Sequence, residues 1–301
     1  MDKIAFVFAG QGAQTVGMGR DLYENFDRAR EIFDLAGERV KTLCFEGPAE
    51  ELNRTVNTQP CLFAMDLACA GVLGECGVRA EGAAGFSLGE IPALAYAGLM
   101  GSREAYAFVC LRAEAMQRCA EKNRGAMLAV LRLPAASVEG ICEGLAGAYP
   151  VNYNCEGQTV VACAEECAGP LEEAVAAAGG KTVRLAVGGA FHSPFMEEAA
   201  DEIAGYLRDK TFGAMRVPVY SNLTARAYGD PRELLSLQAK SPVLWQKTIE
   251  TMIADGFDTF IEVGPGKTLS GLIRKIDGGV QILNVSDMAS LEKTLAEVNH
   301  A

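Results

Sequence analysis

Histidine is almost missing from this chain. Only His192 and the penultimate His300 occur in 301 residues, so any internal imidazole chemistry falls to His192. Paired cysteines are missing as well. Cys44, Cys61, Cys69, Cys76, Cys110, Cys119, Cys142, Cys155, Cys163 and Cys167 contain no CxxC pair. That removes the sequence sign of a zinc ribbon or a thioredoxin-type centre. The chain is too long and too apolar to need disulfide staples, so free structural thiols and no metal are expected. Basic residues are in deficit: 27 Lys and Arg against 39 Asp and Glu give a net charge of −12. A general nucleic-acid or anionic-membrane surface is therefore not expected, and only a local basic patch has room. No run approaches the roughly 18 apolar residues of a membrane helix. Met1-Asp2-Lys3 followed by Ile4–Phe8 lacks the apolar stretch of a signal peptide, so a cytoplasmic protein is expected. Repeats, low-complexity segments and long linkers are absent too.

Half the residues are apolar, ample for a core, and 33 glycines promise many tight turns. The length suits two domains or one large domain with an insertion. Ile4–Phe8 reads as a buried strand, Leu22–Lys41 as helical and Leu62–Cys76, opened by Gln59 and Pro60, as a buried helix. Glu81–Phe86 reads as a strand leading through Ser87-Leu88-Gly89-Glu90 into a helix over Ile91–Met100. Glu104–Lys122 is a further helix, with Arg112 and Met116 one turn apart on one face. The stretch 125–191 reads as βαββαβ, the split-βαβ pattern of a ferredoxin-like unit. Helix and strand then alternate over Met196–Leu207, Val217–Ser221, Ser241–Ala254, Thr259–Val263 and Thr268–Lys275. The expected class is α/β: an α/β-hydrolase-like large domain with a parallel-sheet core (1–124 and 192–301), and a small ferredoxin-like insert (125–191).

Gly85-Phe86-Ser87-Leu88-Gly89 matches GxSxG where an apolar strand turns into a helix. A serine on so sharp a turn needs neighbours without side chains, and the N–H that follows it faces a developing oxyanion. Ser87 is the candidate nucleophile, with an incidental loop serine as the alternative. Its base would be His192, in Gly189-Ala190-Phe191-His192-Ser193-Pro194, where the insert returns the chain to the large domain. A structural histidine is the alternative there. No acidic residue stands out to orient the ring, and a backbone carbonyl can serve instead. Two glycine-rich segments fail as nucleotide motifs on spacing. Thr15 stands where a dinucleotide fingerprint beginning at Gly10 needs glycine, and Ile261 stands where a phosphate loop ending at Gly266-Lys267-Thr268 needs one.

Together these pieces resemble the malonyl-CoA:acyl-carrier-protein transacylase family, which is related to polyketide acyltransferase domains. Phe8-Ala9-Gly10-Gln11-Gly12-Ala13-Gln14 is similar to the family's FPGQGSQ, Thr58-Gln59-Pro60 to its TQP, and Gly85–Glu90 to its GHSLGE. Leu111–Gln117 is similar to its RGxxMQ helix, Phe191-His192-Ser193 to FHS, and Glu262–Gly266 to EVGPG. The resemblance implies transfer of malonyl from malonyl-CoA to the phosphopantetheine thiol of acyl carrier protein, supplying fatty acid synthesis through a malonyl-serine intermediate. It implies Ser87 as nucleophile and His192 as base, with the backbone N–H groups of Gln11 and Leu88 as oxyanion hole. Arg112 would clamp the malonate carboxylate. Gln59, Met116, Asn154 and Phe191 would line the pocket, and a main-chain carbonyl in Ser241–Trp245, assigned to Leu244, would orient His192. No cofactor is implied, since the CoA thioester is a substrate, and a monomer is expected. Lys181, Arg184, Lys267, Arg274 and Lys275 are candidates for carrier-protein docking. Phe86 departs from the family's usual histidine, Ala9 and Ala13 from its Pro and Ser. Leu88 and Phe191 resemble the malonyl-selecting variants. The alternatives are an acyltransferase serving a polyketide assembly line in trans, a serine hydrolase or thioesterase, and a catalytically silent carrier-protein-binding module.

Overall fold

The computed structural model describes residues 3–299; His300 lies outside them. Nine strands occur among these residues: β1 (Ile4–Phe8), β2 (Gly82–Gly85), β3 (Gly125–Leu131), β4 (Ala148–Cys155), β5 (Gln158–Ala164), β6 (Lys181–Arg184), β7 (Val219–Tyr220), β8 (Thr259–Val263) and β9 (Gln281–Val285). They form two sheets. The first has the order β7-β2-β1-β8-β9, with every neighbouring pair parallel. Its strands are short, and β1, β2 and β8 are buried along almost their whole length, as a sheet covered on both faces requires. The second has the order β4-β5-β3-β6, antiparallel throughout. Helices Ala135–Glu143 and Ala168–Ala177 connect it in the order βαββαβ. It has an apolar cluster of its own, built on Leu128, Val130, Val138, Val161, Leu171 and Val175.

Several elements differ from the expected ones. The helical stretch 22–41 is three helices, Arg20–Asn25, Asp27–Ala36 and Glu38–Phe45. Extended Phe26 and left-handed Gly37, at φ 92°, break it. The buried helix starts earlier, at Thr55, and runs to Glu75 through Pro60. Proline in the second turn forfeits one ladder bond, and Gln59 is thereby placed inside the helix. This helix is long and apolar enough by composition to cross a membrane, contrary to expectation, but it is packed on nearly all sides in the core. Strand β9 and helices Pro231–Gln238 and Met288–Asn299 were not expected at all. All ten cysteines are free thiols, eight of them buried.

Candidate active site

The Ser87 turn is built by glycine sterics. Strand β2 ends at Gly85, a single turn spans Ser87–Gly89, and helix Glu90–Ala97 follows. A Cβ on Gly85 would lie 1.9 Å from the carbonyl carbon of Gly89, and one on Gly89 would lie 2.2 Å from the Phe8 carbonyl oxygen. Gly10 is equally confined, its Cβ position falling 2.7 Å from the Phe86 carbonyl oxygen. The turn drives Ser87 to φ 52°, a left-handed conformation that serine rarely holds without support. Asn222 supplies it. Its Oδ1 accepts the Ser87 N–H at 2.7 Å, and its Nδ2 donates to the Gly85 carbonyl at 2.6 Å. The backbone N–H groups of Gln11 and Leu88 have no acceptor among the described residues, while the Gln11 side chain donates to Thr55 Oγ1.

The structure brings Ser87 and His192 together, with Oγ and Nε2 2.7 Å apart. The other ring nitrogen, Nδ1, faces the carbonyls of Gln238 at 3.0 Å and Ser241 at 3.2 Å. Carbonyls only accept, so Nδ1 carries the proton and Nε2 presents its lone pair to the serine hydroxyl. The assignment of Leu244 is corrected here. Its carbonyl accepts the N–H and the hydroxyl of Thr248, each at 2.8 Å, at the start of helix Trp245–Ala254. Ser241 belongs to the expected segment; Gln238 precedes it. Burial, and then the charge of Arg112, lower the His192 pKa to about 4, so the ring is neutral at neutral pH.

Arg112 is buried, only 1% exposed, on helix Ser102–Lys122. Its guanidinium donates to Gln59 Oε1 at 2.7 Å, Gln238 Oε1 at 2.8 Å and Ser87 Oγ at 3.3 Å. No carboxylate pairs with it among the described residues. Its charge is held by neutral amides and a hydroxyl, and burial pulls its pKa down to about 10. Gln59 also donates to Met116 Sδ at 3.5 Å, which joins those two residues to the arginine. Phe191 and Leu88 are buried in the same apolar cluster as Met116. Asn154 lies on β4, which is bridged at Asn152 to Val243, beside the carbonyls that face His192; its buried Oδ1 has no partner among the described residues. Phe86, the departure from the usual histidine, stacks edge-on against Trp245 at 5.5 Å. Of the docking candidates, Arg184 is engaged by Glu165, and Lys275 donates to Gln158.

Four residues at the site escaped the sequence reading. Gln238 touches everything: its carbonyl faces His192, its Oε1 accepts from Arg112 and its Nε2 donates to the Ser87 carbonyl at 2.9 Å. Asp230-Pro231, an N-cap followed by proline at the first helical position, was the available signal for the helix that carries it. Asn222, Glu90 and Tyr228 form the support beneath Ser87, and buried Glu90 accepts from the other two.

The family model for the acyl transferase domain matches residues 5–293. The malonyl CoA-acyl carrier protein transacylase of Bacillus subtilis is 37% identical, with 99% of each chain covered. The chain belongs to the acyl transferase family. Among solved structures, the malonyl CoA-acyl carrier protein transacylase of Clostridium perfringens superposes with a TM-score of 0.95 at 37% identity, over 99% of this chain and 98% of that one. A malonyl-transacylase in complex with a type II polyketide synthase acyl carrier protein superposes at 0.94 and 34% identity, over 98% of this chain and 99% of that one. The resemblance read from the motifs is borne out, and this acyl transferase is an enzyme. The acyl transferase match runs through both sheets, so the antiparallel unit is part of the family's fold.

Proposed function

We propose that this chain moves the malonyl group of malonyl-CoA to the phosphopantetheine thiol of acyl carrier protein by way of a malonyl-Ser87 ester. The observation that carries this reading is Arg112: a buried guanidinium 3.3 Å from Ser87 Oγ with only neutral partners. A buried cation whose direct partners are all neutral, with the Glu90 carboxylate acting on it only from beyond contact, is costly. A carboxylate on the acyl group would offset that cost with paired, charge-assisted hydrogen bonds. Acetyl has no such group.

The steps follow from the hydrogen bonds. Ser87 Oγ attacks the thioester carbon as its proton passes to His192 Nε2, and the N–H groups of Gln11 and Leu88 receive the oxyanion. The C–S bond breaks, and His192 returns its proton to the departing CoA thiolate. In the second half the phosphopantetheine thiol gives its proton to His192, its sulfur attacks the acyl carbon, and Ser87 Oγ leaves with the proton. Neutral His192 serves as base in both halves. No metal or organic cofactor enters these steps. We propose that the chain acts as a monomer in the cytoplasm. The βαββαβ order and its separate apolar cluster support a ferredoxin-like insert at 125–191, and the strand–turn–helix at Ser87 supports an α/β-hydrolase-like remainder.

The test is intact-mass kinetics with malonyl-CoA and acetyl-CoA. Malonyl-CoA should add about 86 Da to Ser87, because an ester shielded from water persists until a thiol arrives. In Arg112→Ala the malonyl preference over acetyl should fall by roughly 10- to 100-fold, the value of charge-assisted bonds lost for one substrate only. Equal losses for both substrates would leave Arg112 a structural role and refute the malonyl assignment. Prompt hydrolysis would identify an esterase instead. We place the acceptor in fatty acid synthesis. The second reading, a polyketide carrier, is favoured by the type II polyketide complex among the structural relatives. Transfer rates to the two kinds of carrier protein decide between them.

A further inference from the structure

We propose that Glu90 is a positioning residue for the nucleophile: its buried carboxylate ties the loop bearing Asn222 and Tyr228 to the start of the Ser87 helix and so holds Ser87 in its left-handed turn. The inference rests on Ser87 being the nucleophile and is independent of which acyl group it accepts.

Glu90 opens helix Glu90–Ala97, three residues after Ser87, and is fully buried. One carboxylate oxygen accepts the Asn222 N–H at 2.7 Å and the other accepts the Tyr228 hydroxyl. Asn222 and Tyr228 stand on either side of a turn that follows β7, closed by Ser221 N–H to Arg226 carbonyl at 2.9 Å and Tyr228 N–H to Val219 carbonyl at 2.8 Å. One side chain therefore fastens both sides of the turn to the helix. Asn222 passes the constraint on, bridging the Ser87 N–H and the Gly85 carbonyl across Phe86. Without that bridge the Ser87 N–H loses its acceptor, and the bond from Gln238 Nε2 to the Ser87 carbonyl is left to hold the backbone of a serine at φ 52°.

A carboxylate suits the position. The Asn222 N–H can only donate and the Tyr228 hydroxyl donates here, so a carboxylate accepts from both with charge-assisted bonds. An amide would have to reverse the Tyr228 contact and would make both bonds neutral. Burial pushes the Glu90 pKa up to about 7, while the Tyr228 hydroxyl, the Asn222 N–H, Gln238 and the charge of Arg112 favour the ionised form. These are the groups that face it from the loop, from helix Pro231–Gln238 and from helix Ser102–Lys122. His192, the remaining ionisable group of the site, stays neutral down to about pH 4. Protonation of Glu90 replaces an acceptor by a donor at one of its two contacts. Serine reactivity should then fall below neutrality, well above the pH at which His192 takes up a proton.

The experiment follows inactivation by phenylmethylsulfonyl fluoride from pH 5 to 9. In that reaction Ser87 Oγ bonds to sulfur, fluoride leaves and the serine proton passes to His192. The reagent carries no malonyl group, so it reports on the nucleophile even if the malonyl assignment fails. Glu90→Gln should react roughly tenfold or more slowly at pH 8 and lose the acidic limb near neutrality. Tyr228→Phe removes only one donor to the carboxylate, so it should move that limb upward by about half a unit to one unit. Should Glu90→Gln not fold by circular dichroism, Tyr228→Phe decides alone. A Glu90→Gln protein that reacts at the wild-type rate, or a folded Tyr228→Phe protein with an unmoved limb, overturns the proposal. So does a wild-type protein that the reagent does not label at Ser87.

Discussion

The two members of the Ser87–His192 pair are held by opposite means. The serine sits on a turn that admits no side chains: Gly85, Gly89 and Gly10 each lie so close to backbone atoms that a Cβ would collide. The histidine also has a positive φ, 62°, yet its ring is aimed by two main-chain carbonyls, those of Gln238 and Ser241. Steric exclusion selects residue types and so writes a motif. A carbonyl belongs to every residue and writes nothing. The nucleophile side is therefore rigid and intolerant of substitution, and the base side is rigid and tolerant of it.

The largest expected effect breaks the first half of that comparison. Gly85→Ala puts a methyl group 1.9 Å from the Gly89 carbonyl carbon, backbone that has no flexible end to move aside. It should destabilise the protein by about 3 kcal/mol or more, or prevent folding, as severe overpacking does. Gly140 is the control, since a Cβ there meets nothing within 4 Å and the residue lies inside helix Ala135–Glu143. Gly140→Ala should gain about 0.5–1 kcal/mol. Urea melts of the two variants measure the contrast, and similar midpoints would show that the turn is not sterically fixed.

Next in size is a test of the second half. His192→Ala should slow acylation of Ser87 by at least about 100-fold, the usual lower end of general-base catalysis. Gln238→Ala keeps the carbonyl that faces Nδ1 and removes only the amide that accepts from Arg112 and donates to the Ser87 carbonyl. Its loss should be smaller, roughly 5- to 30-fold in kcat/KM for malonyl-CoA, in keeping with one or two lost hydrogen bonds. Single-turnover rates for both variants separate the roles. If Gln238→Ala matched His192→Ala, the side chain rather than the carbonyl would be holding the base.

The same asymmetry explains what the sequence could show. Ser87 was marked by glycine spacing, and Arg112 and Met116 by a shared helix face. Gln59 and the role of Arg112 came only through the family resemblance, and the structure joins all four by hydrogen bonds. The parallel sheet was legible in the short apolar runs of β1, β2 and β8. Leu244 was misassigned because a carbonyl acceptor is chosen by the path of the chain, which residue identities between 238 and 245 do not reveal. Glu90 was visible only as part of a motif. Its partners Asn222 and Tyr228 are more than 130 residues away, and nothing local marks them as its donors. Strand β9 is a largely apolar run after Gly278-Gly279, a plain strand signal, whereas no such mark sets off helix Met288–Asn299.

The smallest expected effect is a cancellation, and it compares the two regions through their ionisation. His192 is lowered from 6.5 to about 4 by folding, chiefly through burial. Between those values the unfolded chain binds more protons, so this residue makes stability rise with pH. Glu90 is raised from 4.5 to about 7, again chiefly through burial. Between those values the folded chain binds more protons, so this residue makes stability fall as pH rises. Each contribution amounts to about 3 kcal/mol over its window, and the windows overlap from about pH 4.5 to 6.5 with opposite slopes. In the wild type the two should largely cancel there. Glu90→Gln leaves the histidine slope exposed, so its stability relative to wild type should drop as pH falls through that range. His192→Gln leaves the glutamate slope, and its relative stability should drop as pH rises. Denaturant melts at half-unit steps of pH read both differences, and the other titrating groups are common to all three proteins. Parallel curves for the two variants would mean that the buried charges are not set by burial as described, and that the nucleophile and base sides do not differ in this respect.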